Sequence, residues 1–238
     1  MIQRAESSIG RILGRNKEIR WGETELNQTV QGQLNRYINK GLHRKIYPKD
    51  DPSQAEQKYR QDFVLPSGSI QPESYSGRFN QPLVVDPRLN LEDYCRPARV
   101  GSFETDIVDV VPTPDTPYLL FTHDGQRYLS RSVSEAERMF AADEVGSTII
   151  EVMAQYIQYP KNFPTYNFII GRGIMATGSR CENASNVPDL SSVALGGTTI
   201  GSSGLDEGER YWGAGSRGRK VILLGNIQEA TVSYKIQD

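Results

Sequence analysis

The chain has 238 residues, which is long enough for one large domain or two small ones with a real core, and its 37% of hydrophobic residues is on the polar side for a self-contained globule. Its formal charge of −2 gives no overall attraction to nucleic acid or to an anionic membrane. No apolar run approaches the ~20 residues that a membrane span needs, and the first residues lack the apolar core of a signal peptide. We therefore expect a cytoplasmic or virion protein that is not secreted through a signal peptide.

Residues 1–46 predict a helical arm. Apolar residues recur there at helical spacing in two stripes, namely Ile2, Ala5, Ile9, Ile12 and Leu13, and then Leu26, Val30, Leu34, Tyr37 and Ile38. The first 45 residues carry nine basic and four acidic side chains, a difference of +5, so the rest of the chain carries −7. This asymmetry favours an arm that binds an acidic partner, although an ordinary solvated helix face explains it equally well.

Residues 47–117 predict an extended, proline-rich connecting segment. Ten of the 13 prolines fall in this range, with short apolar runs between them. One short helix is predicted from Gln54 to Phe63. The remainder is typical of a strap that lies across a surface rather than folding alone.

Residues 118–238 predict a small α+β core. Apolar runs flank Asp124-Gly125, a pair that suits a tight hairpin. Helices are predicted after the N-cap Ser132, with an interruption at Gly146 and an end at Pro160. Residues 171–220 hold eleven of the 22 glycines and predict loops, and two short β-strands follow them. The predicted fold class is α+β, with arm, strap and core in that order.

Two glycine motifs raise the question of a nucleotide cofactor. Gly171, Gly173 and Ala176 match the G-x-G-x-x-A spacing of a dinucleotide-binding turn, and Gly213–Gly218 holds a second match. Such a turn needs a helix directly after it, whose N-terminus faces the pyrophosphate. Neither match is followed by a helical pattern, so we interpret the glycines as turns and predict no cofactor.

Cysteine and histidine residues give the one catalytic alternative. His43, His123, Cys95 and Cys181 lie far apart, without the spacing of a metal site, so no metal is predicted. Cys181 follows a basic residue in a glycine-flanked segment, which predicts a lowered thiol pKa and a thiol-dependent hydrolase or transferase with His123 as base. Both cysteines have basic neighbours, so a covalently attached group on Cys95 or Cys181 is left open.

The segment from Gly213 to Lys220 predicts a flexible basic loop. Arg217, Arg219 and Lys220 follow the aromatic pair Tyr211-Trp212. Such a loop is suited to a phosphate or a carboxylate, and a nucleic-acid partner has no further support in the sequence. The simpler interpretation is that the loop binds neighbouring acidic residues or another protein subunit.

These features together predict a non-catalytic structural subunit of a large oligomeric particle, with a phage or virus virion component of the connector, neck, tail or cement type as the preferred setting. The partners are other protein subunits in many copies, and a small-molecule substrate is not expected. A linker protein of a cellular multi-subunit assembly is the alternative within this class. The residues predicted to bind partners are Arg11, Arg15, Arg20, Tyr37, Tyr211, Trp212, Arg217 and Arg219.

Overall fold

The computed structural model describes residues 20–102, 106–163, 173–182, 184–192, 197–208 and 212–225. Within these ranges the chain forms six helices: α1 Glu23–Asn39, α2 His43–Ile46, α3 Pro52–Gln61, α4 Leu91–Ala98, α5 Val133–Met139 and α6 Ile149–Gln158. The strands are β1 Gln81–Val85, β2 Val100–Ser102, β3 Ile107–Asp109, β4 Tyr118–Thr122, β5 Glu144–Gly146, β6 Gly173–Ala176, β7 Ser179–Cys181, β8 Asn186–Ser192, β9 Thr198–Gly204, β10 Gly213–Gly218 and β11 Ile222–Leu223. The predicted mixture of helices and strands is confirmed.

Nine of the strands form one mixed sheet. Its neighbours run in the order β1-β4-β10-β6-β8-β9-β2, while β11 pairs with β4 and β5 pairs with β10. The β10–β6 and β9–β2 pairs are parallel and the other pairs are antiparallel. A separate two-stranded sheet joins β3 to β7. In the part of the chain that the structure describes, no helix has the length and apolar character to cross a membrane.

Helix α1 follows the second apolar stripe of the sequence. Its buried residues are Leu26, Val30, Gln33, Leu34 and Tyr37. The Gln33 amide donates to Pro82 O at 2.7 Å, and its oxygen accepts from Val84 N at 2.8 Å, which ties the helix to β1. The second half of the predicted arm is therefore a helix packed on the sheet, while the first stripe lies outside the described residues.

The segment 47–117 differs from the extended strap that its prolines predict. It contains α3, α4 and β1, and β1 pairs with β4 from Gln81↔Thr122 to Val85↔Tyr118. The prolines occupy positions that regular structure tolerates, because Pro52 is in the first turn of α3 and Pro82 is in the strand at one end of the sheet order. The predicted short helix is confirmed as α3, with Asp51 as its N-cap.

The hairpin predicted at Asp124-Gly125 does not form. Gly125 adopts a positive φ of 83°, so a turn is present, but the residues after it lead to α5 instead of pairing with β4. The reason is that β4 already pairs with β1 on one side and with β10 and β11 as well. No edge of β4 is left for a returning strand.

The helical predictions after Ser132 are confirmed. Ser132 caps α5, Thr148 caps α6, and each cap forms a reciprocal capping box with a glutamate three residues later. Gly146 lies in β5 between the two helices, and α6 ends at Gln158, before Pro160. The apolar core is not confined to residues 118–238, since one buried cluster also includes Leu34, Phe79 and Tyr94.

Candidate functional site

Strand β10 carries a polar cluster through the middle of the nine-stranded sheet. All six of its residues are buried, which corrects the prediction of a flexible basic loop at Gly213–Lys220. A Cβ on Gly213 would overlap the carbonyl oxygen of Gly125, and a Cβ on Gly218 would overlap the ring of Tyr75. The glycines therefore allow a close approach of neighbouring chain segments to a buried strand.

Arg217 forms a buried ion pair on β10. Its Nε lies 2.7 Å from Oε1 of Glu151, and the two side chains are only 2% and 1% exposed. The hydroxyl of Tyr118 donates to the same oxygen at 2.9 Å. Burial opposes the charge of Arg217, but the nearby Glu151 carboxylate outweighs that effect and the pKa of Arg217 is raised. The guanidinium is therefore charged and occupied within the chain.

Ser216, beside Arg217, joins a second buried group with His123 and Glu144. Nε2 of His123 lies 2.9 Å from the Ser216 hydroxyl oxygen, and the Ser216 hydroxyl donates to Glu144 Oε1. The same Glu144 oxygen accepts from the Tyr128 hydroxyl at 2.9 Å. We call Ser216, Arg217, Glu144, Glu151 and His123 the β10 polar cluster.

The hydrogen bonds of His123 determine whether it can act as a general base for Ser216. The Gly125 amide donates to Nδ1 of His123 at 2.9 Å, so in the neutral ring the hydrogen resides on Nε2 and is donated to Ser216. A general base would need a free lone pair at Nε2 to accept the serine proton. Burial, and then the charge of Arg127, lower the pKa of His123 to about 3. The arrangement is that of a structural network rather than of an activated nucleophile.

A polar pocket of about 480 Å³ opens beside His123. It is lined by Gly77, Arg78, Asn80, Gln81, His123, Asp124, Gln126 and Arg127. The guanidinium carbons of Arg78 and Arg127 lie 5.2 and 5.5 Å from the ring centre of Phe79. Each arginine has an acidic partner, Asp143 at 2.7 Å and Glu144 at 3.3 Å, so the pocket does not present an unbalanced charge to an anion.

The two cysteines are buried in different elements. Cys95 in α4 is 5% exposed, and burial followed by the charge of Glu92 raises its pKa to about 11. Cys181 in β7 is also 5% exposed and lies opposite Ile107 of β3. Both ring nitrogens of His123 bond elsewhere, to Gly125 and Ser216. The structure therefore does not bring together the Cys181–His123 pair that the hydrolase alternative requires.

The first glycine motif differs from the predicted turn. Gly173–Ala176 is strand β6, and the described chain after it forms a tight turn and then β7. No helix begins there to face a pyrophosphate, while Gly171 lies outside the described residues. Across the described ranges, no group of three or more His, Cys, Asp or Glu side chains is placed to hold a metal ion.

Two of the residues predicted to bind partners lie in the interior. Tyr37 is fully buried and its hydroxyl donates to Val84 O at 2.7 Å, while Arg217 belongs to the β10 polar cluster. Both predictions are corrected, because these side chains are used within the chain. Arg20 and Arg219 are exposed, and Trp212 is half-buried beside Met175 and Val187. Arg11, Arg15 and Tyr211 lie outside the described residues.

The sequence interpretation missed an apolar surface on β3. Val108 and Val110 expose 62% and 53% of their surface, the first of them within β3 and the second directly after it. The signal was present as the β-branched run IVDVV before Pro112, which was assigned to the connecting segment. It also missed Glu151, whose place three residues after Thr148 is the capping-box position.

Comparison with known proteins gives no relative from which a role could be transferred. The chain matches no protein-family model, no curated protein and no solved structure.

Proposed function

We propose that this protein is a non-catalytic structural subunit of a large oligomeric particle, most simply a virion component of the connector, neck, tail or cement type. The observation that carries the proposal is a contrast between interior and surface. The ionisable groups of the β10 polar cluster are occupied by one another, whereas apolar side chains of β3 are exposed at a strand edge. Exposed apolar residues on an edge strand are typical of a protein-binding surface.

The interior chemistry supports a structural role. A catalytic acid, base or nucleophile has to reach a substrate in a cleft, with its reactive atom free for proton transfer or attack. In the described structure Glu144, Glu151 and Ser216 are at most 2% exposed, and each bonds to other side chains. Buried polar side chains that bond to one another rigidify a fold, which suits a structural subunit.

The virion setting rests on the sequence. The first 45 residues carry a charge excess of +5, which favours an acidic neighbour. Under this proposal basic residues of this N-terminal part of the sequence, among them the exposed Arg20, bind an acidic neighbouring subunit. A linker in a cellular assembly would use the same features, and a cytoplasmic or virion location accompanies either setting.

Electron microscopy of the concentrated, purified full-length protein tests this proposal. We expect particles of uniform size with rotational or helical symmetry, because identical subunits assemble through repeated contacts. A field of single globules the size of one chain would contradict it.

Cysteine alkylation separates the proposal from the hydrolase alternative. We expect slow labelling of both thiols in the folded protein, since Cys95 and Cys181 are each 5% exposed. A thiol that reacts much faster than free cysteine at neutral pH would favour the enzyme.

A further inference from the structure

The polar pocket beside His123 lies where β1 begins and β4 ends. The two strands are antiparallel and their register pairs Gln81 with Thr122, so the residues before the one and after the other meet at the same end of the pair. Asn80 and His123 therefore line one pocket, and the turn after β4 adds Gln126 to it. Its volume of about 480 Å³ lies within the roughly 300–1,000 Å³ that small-molecule sites occupy.

The lining of this pocket disfavours most classes of ligand. Small-molecule sites are usually lined by apolar and aromatic side chains, whereas polar and charged side chains predominate here, and an apolar ligand would leave them without partners. An anion gains little, because Arg78 and Arg127 each pair with an acid and Asp124 adds a carboxylate. A cation is disfavoured by the two guanidinium groups themselves. The lining therefore favours an uncharged, polar ligand.

The chemistry of the same side chains suits hydroxyl groups. Guanidinium, carboxylate and carboxamide groups are planar and present two polar atoms side by side, so each can bond to two neighbouring hydroxyls. A hydroxyl both donates and accepts, and the pocket offers both kinds of partner: Arg127 only donates, the Asp124 carboxylate only accepts, and the amide of Gln126 does both. Carbohydrates carry such hydroxyls on adjacent carbon atoms.

Asn80 has hydrogen-bonding capacity that the described part of the chain does not use. Its side-chain oxygen is buried and has no hydrogen-bond partner among the described residues, while its main-chain oxygen accepts from Trp21 Nε1 at 3.1 Å. A buried acceptor without a partner destabilises a fold, so its retention calls for an explanation such as a bound molecule. Because no bond fixes this oxygen, the amide can turn and present either of its polar atoms to the pocket.

We propose that this pocket binds a sugar unit of an uncharged carbohydrate, through the amides of Asn80 and Gln126, the carboxylate of Asp124 and the guanidinium of Arg127. The ligand efficiency of small molecules gives a single sugar unit a Kd of roughly millimolar. Binding adds a recognition role to the proposed structural subunit. It needs no particular oligomeric state, so it can fail while the proposed function stands.

Saturation-transfer difference NMR with the full-length protein tests the ligand class. The probes are the methyl glycosides of glucose, galactose, mannose and N-acetylglucosamine. We expect transfer to at least one of them, with a Kd of roughly millimolar. No transfer to any of them at about tenfold above that concentration overturns the inference. Loss of the signal on adding an equal concentration of inorganic phosphate assigns the pocket to an anion and overturns the uncharged class.

Two pocket variants and a matched control locate the binding. We expect N80A and Q126A each to weaken glycoside binding by at least about fivefold, since each removes an amide that bonds to the ligand. N35A is the control, because Asn35 is an exposed amide on α1, which does not line the pocket. Binding that survives both pocket variants overturns the assignment of the site.

Thermal unfolding of N80A separates a binding role from a structural one. We expect no loss of stability, because the oxygen that N80A removes has no hydrogen-bond partner within the ranges that the structure describes. A lower melting temperature in N80A, with N35A unchanged, would show that the amide is used inside the chain and would overturn its role in binding. Q126A tests the pocket independently, since the Gln126 side chain is exposed.

Discussion

Arg217 and Arg219 are two positions apart, yet Arg217 is 2% exposed and Arg219 is on the surface. Both arginines were predicted to lie in a flexible loop, because both are charged and both have glycine-rich surroundings. The difference comes from Glu151, which is 66 positions away in sequence from Arg217 and 2.7 Å away in space. A single sequence carries the local signal for the Glu151 capping box but no signal for this long-range pairing.

Breaking the Arg217–Glu151 pair is expected to destabilise the fold strongly. Arg217→Met leaves a buried carboxylate without its cation, so the free energy of unfolding should fall by about 3–5 kcal/mol. Arg219→Met is the matched control, and its change should stay within about 0.5 kcal/mol. Urea denaturation measures both, and equal small losses in the two variants would show that the ion pair is not the element that holds β10 in place.

The buried histidine makes stability depend on pH. Because the pKa of His123 falls from its ordinary value to about 3 in the folded protein, the unfolded state binds a proton first as the pH is lowered. This contribution to stability is present above the unfolded pKa of about 6.5 and is lost as the pH falls from there towards 3. Between pH 7 and pH 5, wild type should lose about 2 kcal/mol more than His123→Gln. Parallel stability profiles for the two proteins would contradict this.

At the scale of elements, helices were predicted better than strands. The stripe of α1 and the caps of α5 and α6 are local patterns, and each of these helices forms where its pattern lies. Strand β10 consists of Gly, Ala, Ser and Arg, residues with weak strand preference, and its six buried positions follow from the strands on either side. The hairpin predicted at Asp124-Gly125 does not form because of long-range pairing as well, since β4 pairs with strands from distant parts of the chain.

Two glycine substitutions test whether Gly213 is needed for the close packing of β10 or for a flexible backbone. Gly213→Ala should destabilise the protein by about 1–3 kcal/mol, because the added methyl group would overlap the backbone of Gly125. Gly32→Ala is the control, since Gly32 lies in α1 with no atom within 4 Å of an added Cβ, and it should stabilise the helix by up to about 1 kcal/mol. Thermal unfolding compares the two. A neutral Gly213→Ala would mean that β10 is a loop in solution.

At the scale of the whole molecule, the sequence predicted a mixed α and β chain and the ranges of several helices. It predicted α3 but neither β1 nor α4, and it did not predict that segment 47–117 packs in the same core as α1 and α6. Proline content misled the interpretation there, since Pro52 and Pro82 occupy positions where no backbone N–H is needed. The apolar surface at Val108 and Val110 was also assigned to this connecting segment, because a sequence pattern shows β-branched residues but not their exposure.

Native mass measurement of the full-length protein tests the structural-subunit proposal most directly. The proposal predicts a species, stable on moderate dilution, whose mass is a large integral multiple of the 26.6 kDa chain. A single 26.6 kDa species that persists from dilute to concentrated solution would contradict it.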